Sequence, residues 1–362
     1  MKTKLFLRTF FLSLLAFTFS CSSSSDDSGS SGADDDGGVD VVTLTSISIS
    51  ANVASVYVGE TVTFTVTGND GSDLTALADI VVDGTALAGN TFSSAVAGTF
   101  NAVATYEALT SSTVITVDTP PIVFDKNVLI EDYTGAWCGY CPRVAYGIER
   151  VEASTEQAVV VAIHRGNASG SNVDPYNYPA SVLEDLVGLE GYPTAMLNRT
   201  TTWNYPEPIN SGQAVNLTGD DAALGLALSS AIHGSDMEID VNVKFGEDFS
   251  STDLKLVVYV LENGLIYDQT NYTTYYGGNS VISDFEHNHV LRASLTDLLG
   301  DAIPSAETTK ESVYTASFNV AVPSNVSDAS NIHVVAFVVD DSNAAVNSRS
   351  GDFGEDQAFE EN

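Results

Sequence analysis

Two cysteines three positions apart carry the most obvious chemistry in this sequence: Cys138 and Cys141, within Trp137-Cys138-Gly139-Tyr140-Cys141-Pro142. The third cysteine, Cys21, closes an N-terminal leader, so these two are the pair a processed chain could join. Two intervening residues let such a pair close into a small disulfide ring and reopen by thiol–disulfide exchange. The same spacing also serves zinc, but a zinc site needs four ligands and the sequence holds no second Cys pair. His164 could be a third ligand, and nothing places a fourth.

The flanking segments set the geometry of the pair. Val128-Leu129-Ile130-Glu131-Asp132-Tyr133 is short and largely apolar, which predicts a buried strand. Pro142 to Ala153 predicts a helix, with proline in the first turn, where its missing N–H costs nothing. The sulfurs then lie on a strand-to-helix turn, where unpaired N–H groups and the helix dipole favour a Cys138 thiolate. Gly191-Tyr192-Pro193-Thr194 follows, with Pro193 55 positions after Cys138. Together these segments resemble the thioredoxin fold. The resemblance implies an α/β thioredoxin-like domain over residues 122–212 and a cis-proline loop at Pro193 that holds extended substrate segments against the disulfide. It also implies that Asp132, six residues before Cys138, is a buried acid moving protons for Cys141. Alternation along the strand turns Glu131 to the opposite face. The alternative leaves both acids solvated at the strand end. Tyr140 stands where the best-known thioredoxin motif has proline, so its redox poise does not carry over.

Further along, Ala158–His164 is continuously apolar up to its histidine and predicts a buried parallel strand. Ala180–Val187 predicts a helix, Pro193–Asn198 a strand, and Thr201–Tyr205 a return against it. His164, at a strand's carboxyl end, occupies a usual functional position in open sheets, or else caps the strand structurally.

Lys2, Lys4 and Arg8 accompany an apolar run, Leu5 to Phe19, too short and too early for a transmembrane helix and suited to a signal peptide over residues 1–20. Cys21 directly after it resembles a bacterial lipoprotein processing site, where lipid is joined to the thiol. Thr18 stands where such sites favour Leu, and an ordinary signal peptide is the alternative. Residues 21–42 are mostly Ser, Gly, Asp and Ala, with six aspartates, and cannot bury enough apolar surface to fold. This predicts a tether. Serines followed by acids after a lipidated cysteine resemble the surface-export signal of Bacteroidetes lipoproteins, which points to the outer membrane and its outer face, with a periplasm-facing anchor as the alternative.

The chain has 362 residues, 48 acidic and 13 basic, for a net charge of −35. That balance excludes nucleic acid and anionic headgroups as partners. It suits an exposed, soluble surface. No stretch has the ligand spacing of an EF-hand loop, and no cofactor motif is present.

Residues 43–118 alternate apolar and small polar residues through several short runs separated by turn signals, which predicts an immunoglobulin-like β-sandwich. Thr119-Pro120-Pro121 marks its end. Residues 217–346 return to β patterning, with a hairpin of Leu224–Ile232 and Met237–Phe245 and strands at Leu254–Glu262, Val313–Val320 and Ile332–Val339. They predict a C-terminal β-sandwich, with residues 347–362 an acidic tail. Tyr267, Tyr272, Tyr275 and Tyr276 are a binding surface if exposed and core if buried. In Glu286-His287-Asn288-His289, a regular strand would turn His287 and His289 to one side, where both could reach one metal ion. The alternative is a hydrogen-bonded structural pair.

Taken together, the lipoprotein signal, Leu129–Gly135 running into Cys-x-x-Cys-Pro, Gly191–Thr194 with Asn198-Arg199 after it, and His287-Asn288-His289-Val290-Leu291-Arg292 resemble the Omp28-related outer-membrane lipoproteins of Bacteroidetes. The likeness covers residues 122–345 and implies an outer-membrane location and a thioredoxin-like core. Two functions follow as expectations. In one, Cys138, the more exposed sulfur, attacks a substrate disulfide, Cys141 resolves it, Pro193 positions the substrate and Asp132 takes the proton, with a protein substrate or redox partner. In the other, Cys138–Cys141 is a permanent staple in a surface adhesion protein whose β domains bind ligands.

Overall fold

The computed structural model describes residues 43–362, so the leader, Cys21 and the tether lie outside the described residues. The chain divides between Asp118 and Thr119. Ahead of that point, Ile47–Ala51, Val62–Gly68 and Thr91–Phe92 form one sheet. Ser55–Tyr57, Leu109–Asp118, Gly98–Tyr106, Asp79–Val82 and Thr85–Ala86 form another. The inward residues of their alternating strands, among them Phe64, Val66, Ile80 and Ile115, make a single core.

The second unit, Thr119–Asn362, begins with the buried run the sequence marks. Strand β1 (Val128–Thr134) is buried along its whole length. It is followed by helix α1 (Pro142–Glu152), β2 (Ala158–His164), α2 (Ser181–Leu186) and β3 (Thr194–Leu197). β1 and β2 run parallel and β3 antiparallel to β1, with Thr201–Thr202 returning on β3. Helix α1 buries Val144, Ile148 and Val151, an apolar face at three- and four-residue spacing, on Val128, Ile130 and Val160.

The chain then adds β4 (Lys255–Glu262), β5 (Leu265–Thr270), β6 (Val281–His287), β7 (Val290–Ser294), β8 (Ile332–Val339) and β9 (Ala345–Asp352). Here the structure corrects the three-part fold. The expected central α/β thioredoxin-like domain and separate C-terminal sandwich are not distinct bodies. β7 pairs with β2 in parallel at Ala162 and Val290, so one sheet runs Thr201–Thr202, β3, β1, β2, β7, β4, β8, β9, with Asp301–Ala302 also on β4. Among the described residues, 46% are strand and 10% helix. The physical reason is the edge of β2: a strand buried on both faces cannot leave its N–H and C=O groups unpaired, and β7 supplies the partners.

One face of this sheet packs on α1 at the β1–β2 end. At the β4–β8 end, the same unit places a three-stranded sheet of Leu224–His233, Asp236–Phe245 and Val313–Ala321 over Leu256, Val258, Val334 and Ala336. The opposite face is a continuous core from Leu129 and Val161 through Tyr259 to Phe337. The acidic-tail reading is also corrected, because β9 is paired along β8 inside the main sheet.

Candidate functional site

β1 ends at Thr134, and the turn Gly135–Cys141 carries the chain into α1, with Cys141 at the N-cap and Pro142 in the first turn. Cys138 and Cys141 are joined in a disulfide. The register of β1 with β3 pairs Tyr133 with Thr194, which sets the Tyr192–Pro193 bond, cis here, beside the start of that turn. The rings of Trp137 and Tyr192 meet edge-to-face, 5.5 Å between centres.

Asp132 and Glu131 turn to opposite faces, and both are buried, which answers the question of their exposure. Glu131 is completely buried and bonds Arg199 at 2.9 Å, with Tyr259 on the same guanidinium. Asp132 faces α1. Its Oδ1 is buried with no hydrogen-bond partner among the described residues. Burial, reinforced by the negative charge of Glu207 and opposed by Arg143, holds the Asp132 carboxyl well above the usual carboxylate range. Asp132 and Cys141 line one cavity of about 90 Å³ together with His164, Gln269 and His287. That volume has room for several water molecules.

His164 is more than a strand cap. Its Nδ1 stands 2.8 Å from Asp174 Oδ2, and that carboxylate also accepts the N–H groups of Ala136 and Tyr176. These bonds hold Asp174 below the usual carboxylate range against the opposing effect of its burial. Asp174 therefore ties the cysteine turn to the end of β2. The sequence offered no sign of it, since the residue lies in a loop with no motif around it.

The larger surprise is above the disulfide. The segment carrying Tyr267, Tyr272, Tyr275 and Tyr276 is a hairpin of β5 and β6 whose far end, residues 269–280, covers the cysteine turn. Gln269 Nε2 donates to the carbonyls of Gly135 and Cys138 at 3.3 and 3.0 Å. The N–H of Thr270 donates to Ala136 O at 2.9 Å, and that of Tyr272 to Gly139 O at 2.6 Å. The Tyr272 ring occupies the space where a Cβ at position 139 would project, so only glycine fits there. Tyr275 stacks on Tyr146 of α1, and the Tyr276 hydroxyl donates to Glu149 at 2.7 Å. In consequence neither cysteine is exposed: Cys138 is 3% and Cys141 2% accessible, which corrects the expectation that Cys138 would be open.

His287 and His289 do not act as a pair. β6 ends at His287, and His289 adopts a left-handed backbone at φ 58°, so the regular strand needed to align them is broken. His287 packs against His164 and Phe285 and its Nε2 contacts Tyr267 O, whereas His289 reaches Glu152 and His333. Among the described residues, no three side chains of metal-ligating type converge.

The family described as Outer membrane protein Omp28 matches residues 180–357. HBP35 of Porphyromonas gingivalis aligns over 64% of this chain and 77% of its own, at 20% identity and a TM-score of 0.51, a likeness of fold. A domain of the outer membrane lipoprotein Omp28 from Porphyromonas gingivalis aligns over 36% of this chain and 88% of its own, at 18% identity and a TM-score of 0.25. No curated protein matches. Residues 180–357 thus belong to the Omp28 family of outer membrane proteins, and the outer membrane is where this chain resides.

Proposed function

We propose that this outer membrane protein performs thiol–disulfide exchange at Cys138–Cys141, anchored by lipid on Cys21 with its folded part at the cell surface. One observation carries the reading: a disulfide at a helix N-terminus shares a cavity with a buried acid whose carboxyl burial holds well above the usual carboxylate range. In the oxidised state seen here, a substrate thiolate attacks Cys138 Sγ, the Cys138–Cys141 bond breaks, and the Cys141 thiolate leaves. Asp132 is placed to hand that sulfur its proton and take it back in the reverse direction. The second substrate thiol, as thiolate, then displaces Cys138, so two electrons pass to the cysteine pair and the substrate gains a disulfide. Pro193, beside the turn, positions the substrate backbone, and the partner is a protein of the envelope or the extracellular space.

The test is exchange between the full chain and a two-cysteine peptide. Stoichiometric oxidation of the dithiol peptide, abolished in Cys138→Ser, with Cys141→Ser trapping a mixed disulfide through Cys138 when given the peptide in its disulfide form, supports the reading. No exchange, with a disulfide that resists strong reductant, overturns it. The burial of both sulfurs favours that second reading, a structural disulfide in a surface adhesion protein.

A further inference from the structure

We propose that the segment Gln269–Tyr276 is a strap occupying the place of the substrate, and that the substrate is an extended polypeptide that displaces it. This rests on the exchange reading above and gives it a substrate class. In an extended chain, the N–H groups of residues i and i+2 point to the same side. Thr270 and Tyr272 use just such a pair to satisfy Ala136 O and Gly139 O. Gln269 adds a side-chain amide to Gly135 O and Cys138 O. The cysteine turn thus presents a row of outward carbonyls, and the strap meets them as an added strand would. Gly139 completes the seat, because its missing side chain admits an aromatic ring, here Tyr272 edge-on to Tyr140. Both rings are largely exposed, at 66% and 55%, so another chain can reach the seat from solvent.

The strap is held at some cost. Tyr276 sits at φ 53°, followed by Gly277 and Gly278 at 84° and 72°. A bulky residue in the left-handed region is strained, and here its hydroxyl bond to Glu149 and its ring contacts with Tyr146 and Phe285 retain it. Asn271, buried, keeps the strap in shape by bonding Thr273 and Tyr275, so it moves as a preformed piece. Release exposes the sulfurs, the four carbonyls and the glycine seat together. A polypeptide supplying main-chain donors at alternate positions and an aromatic side chain replaces the main-chain bonds of Thr270 and Tyr272 and the Tyr272 ring, whereas a small thiol replaces none of these.

The experiment compares the full chain with Tyr272→Ala and Gln269→Ala, each checked for retained circular dichroism. Two readouts are taken: the rate at which dithiothreitol reduces Cys138–Cys141, and exchange with an extended dithiol peptide or its copy N-methylated at alternate residues. The strap predicts reduction by dithiothreitol at least about tenfold faster in either variant, the loss of one or two hydrogen bonds or ring contacts. It also predicts that N-methylation slows peptide exchange by about tenfold with the parent chain. Unchanged reduction in both folded variants, or equal rates for the two peptides, overturns the strap while leaving exchange itself standing. Faster reduction in the variants with no peptide exchange in any of them overturns the exchange reading and with it the substrate assignment.

Discussion

Asp174 Oδ2 lies 2.8 Å from both the Ala136 N–H and His164 Nδ1. The carboxylate is an acceptor with no proton to give, so both partners donate and the His164 proton rests on Nδ1. Asp174→Asn keeps the shape but exchanges one acceptor oxygen for a donor, and a buried donor then faces another. We expect a loss of about 1–3 kcal/mol in unfolding free energy, read from the urea midpoint at unchanged slope. Thiol labelling of the reduced protein near Cys138 should also speed up, because the turn loses its tie to β2. A variant as stable as the parent would show that the carboxylate is dispensable to the turn.

Glu131 and Arg199 are both inaccessible to solvent and pair at 2.9 Å, with the guanidinium stacked over Phe337 at 4.7 Å. They join β1 to the loop after β3 and to β8. Glu131→Gln leaves a buried cation without its counter-charge, and we expect destabilisation of about 3–5 kcal/mol. Replacing both residues by apolar side chains, Glu131→Leu with Arg199→Met, should recover most of that loss, and thermal unfolding of the single and double variants decides the point.

Burial, with His164 adding to it, pushes His287 down to about 4, and burial with the neighbouring His289 pushes His333 down to about 3. Both rings are neutral in the fold, and an unfolded histidine titrates near 6.5. Their contribution is therefore complete above about pH 6.5 and is lost as pH falls through the folded values, by about 1.4 kcal/mol per unit for each ring. The prediction is that these two rings leave the urea midpoint unchanged from pH 8 to 7 and lower it steadily from 6 to 4. His333→Phe should flatten part of that slope, and a slope unaffected by it would assign the acid sensitivity to other groups.

Strands β2, β4 and β8 are legible as long apolar, β-branched runs, β1 as a short and largely apolar one, and α1 because Pro142 precedes apolar residues at helical spacing. The single sheet was not. Its joint is the pairing of Ala162 with Val290, and nothing local in either segment announces a partner so distant in the chain. The same limit hid the strap: Gln269 and Tyr272 look like ordinary loop residues, and only their contacts with Cys138 and Gly139 give them a role. The cysteine pair could be named from spacing, and Asp132 and Pro193 from the resemblance to thioredoxin, whereas Asp174 acts through a side chain in an unpatterned loop. The alignment of His287 with His289 failed because strand periodicity was assumed through a residue that adopts φ 58°.

Asp132 gives the remaining prediction, because its stability effect and its chemical effect have opposite signs. Burial raises its carboxyl above the ordinary range, so the fold favours the neutral acid. The stability it contributes is present below about pH 4, where the unfolded carboxyl is also protonated, and is lost as pH rises through the higher folded value. Asp132→Asn is neutral at every pH. Its urea midpoint should therefore gain on that of the parent chain as pH rises above about 4 towards the higher folded value. In exchange the order reverses. Asparagine has no proton to deliver to the departing Cys141 sulfur, and oxidation of a dithiol peptide should slow by about a hundredfold, the usual worth of a positioned acid or base. The pH dependence of the rate should then follow the substrate thiol alone. A variant that gains on the parent's stability as pH rises yet exchanges at the parent rate would make Asp132 a buried structural acid and leave the Cys141 proton to solvent in the cavity.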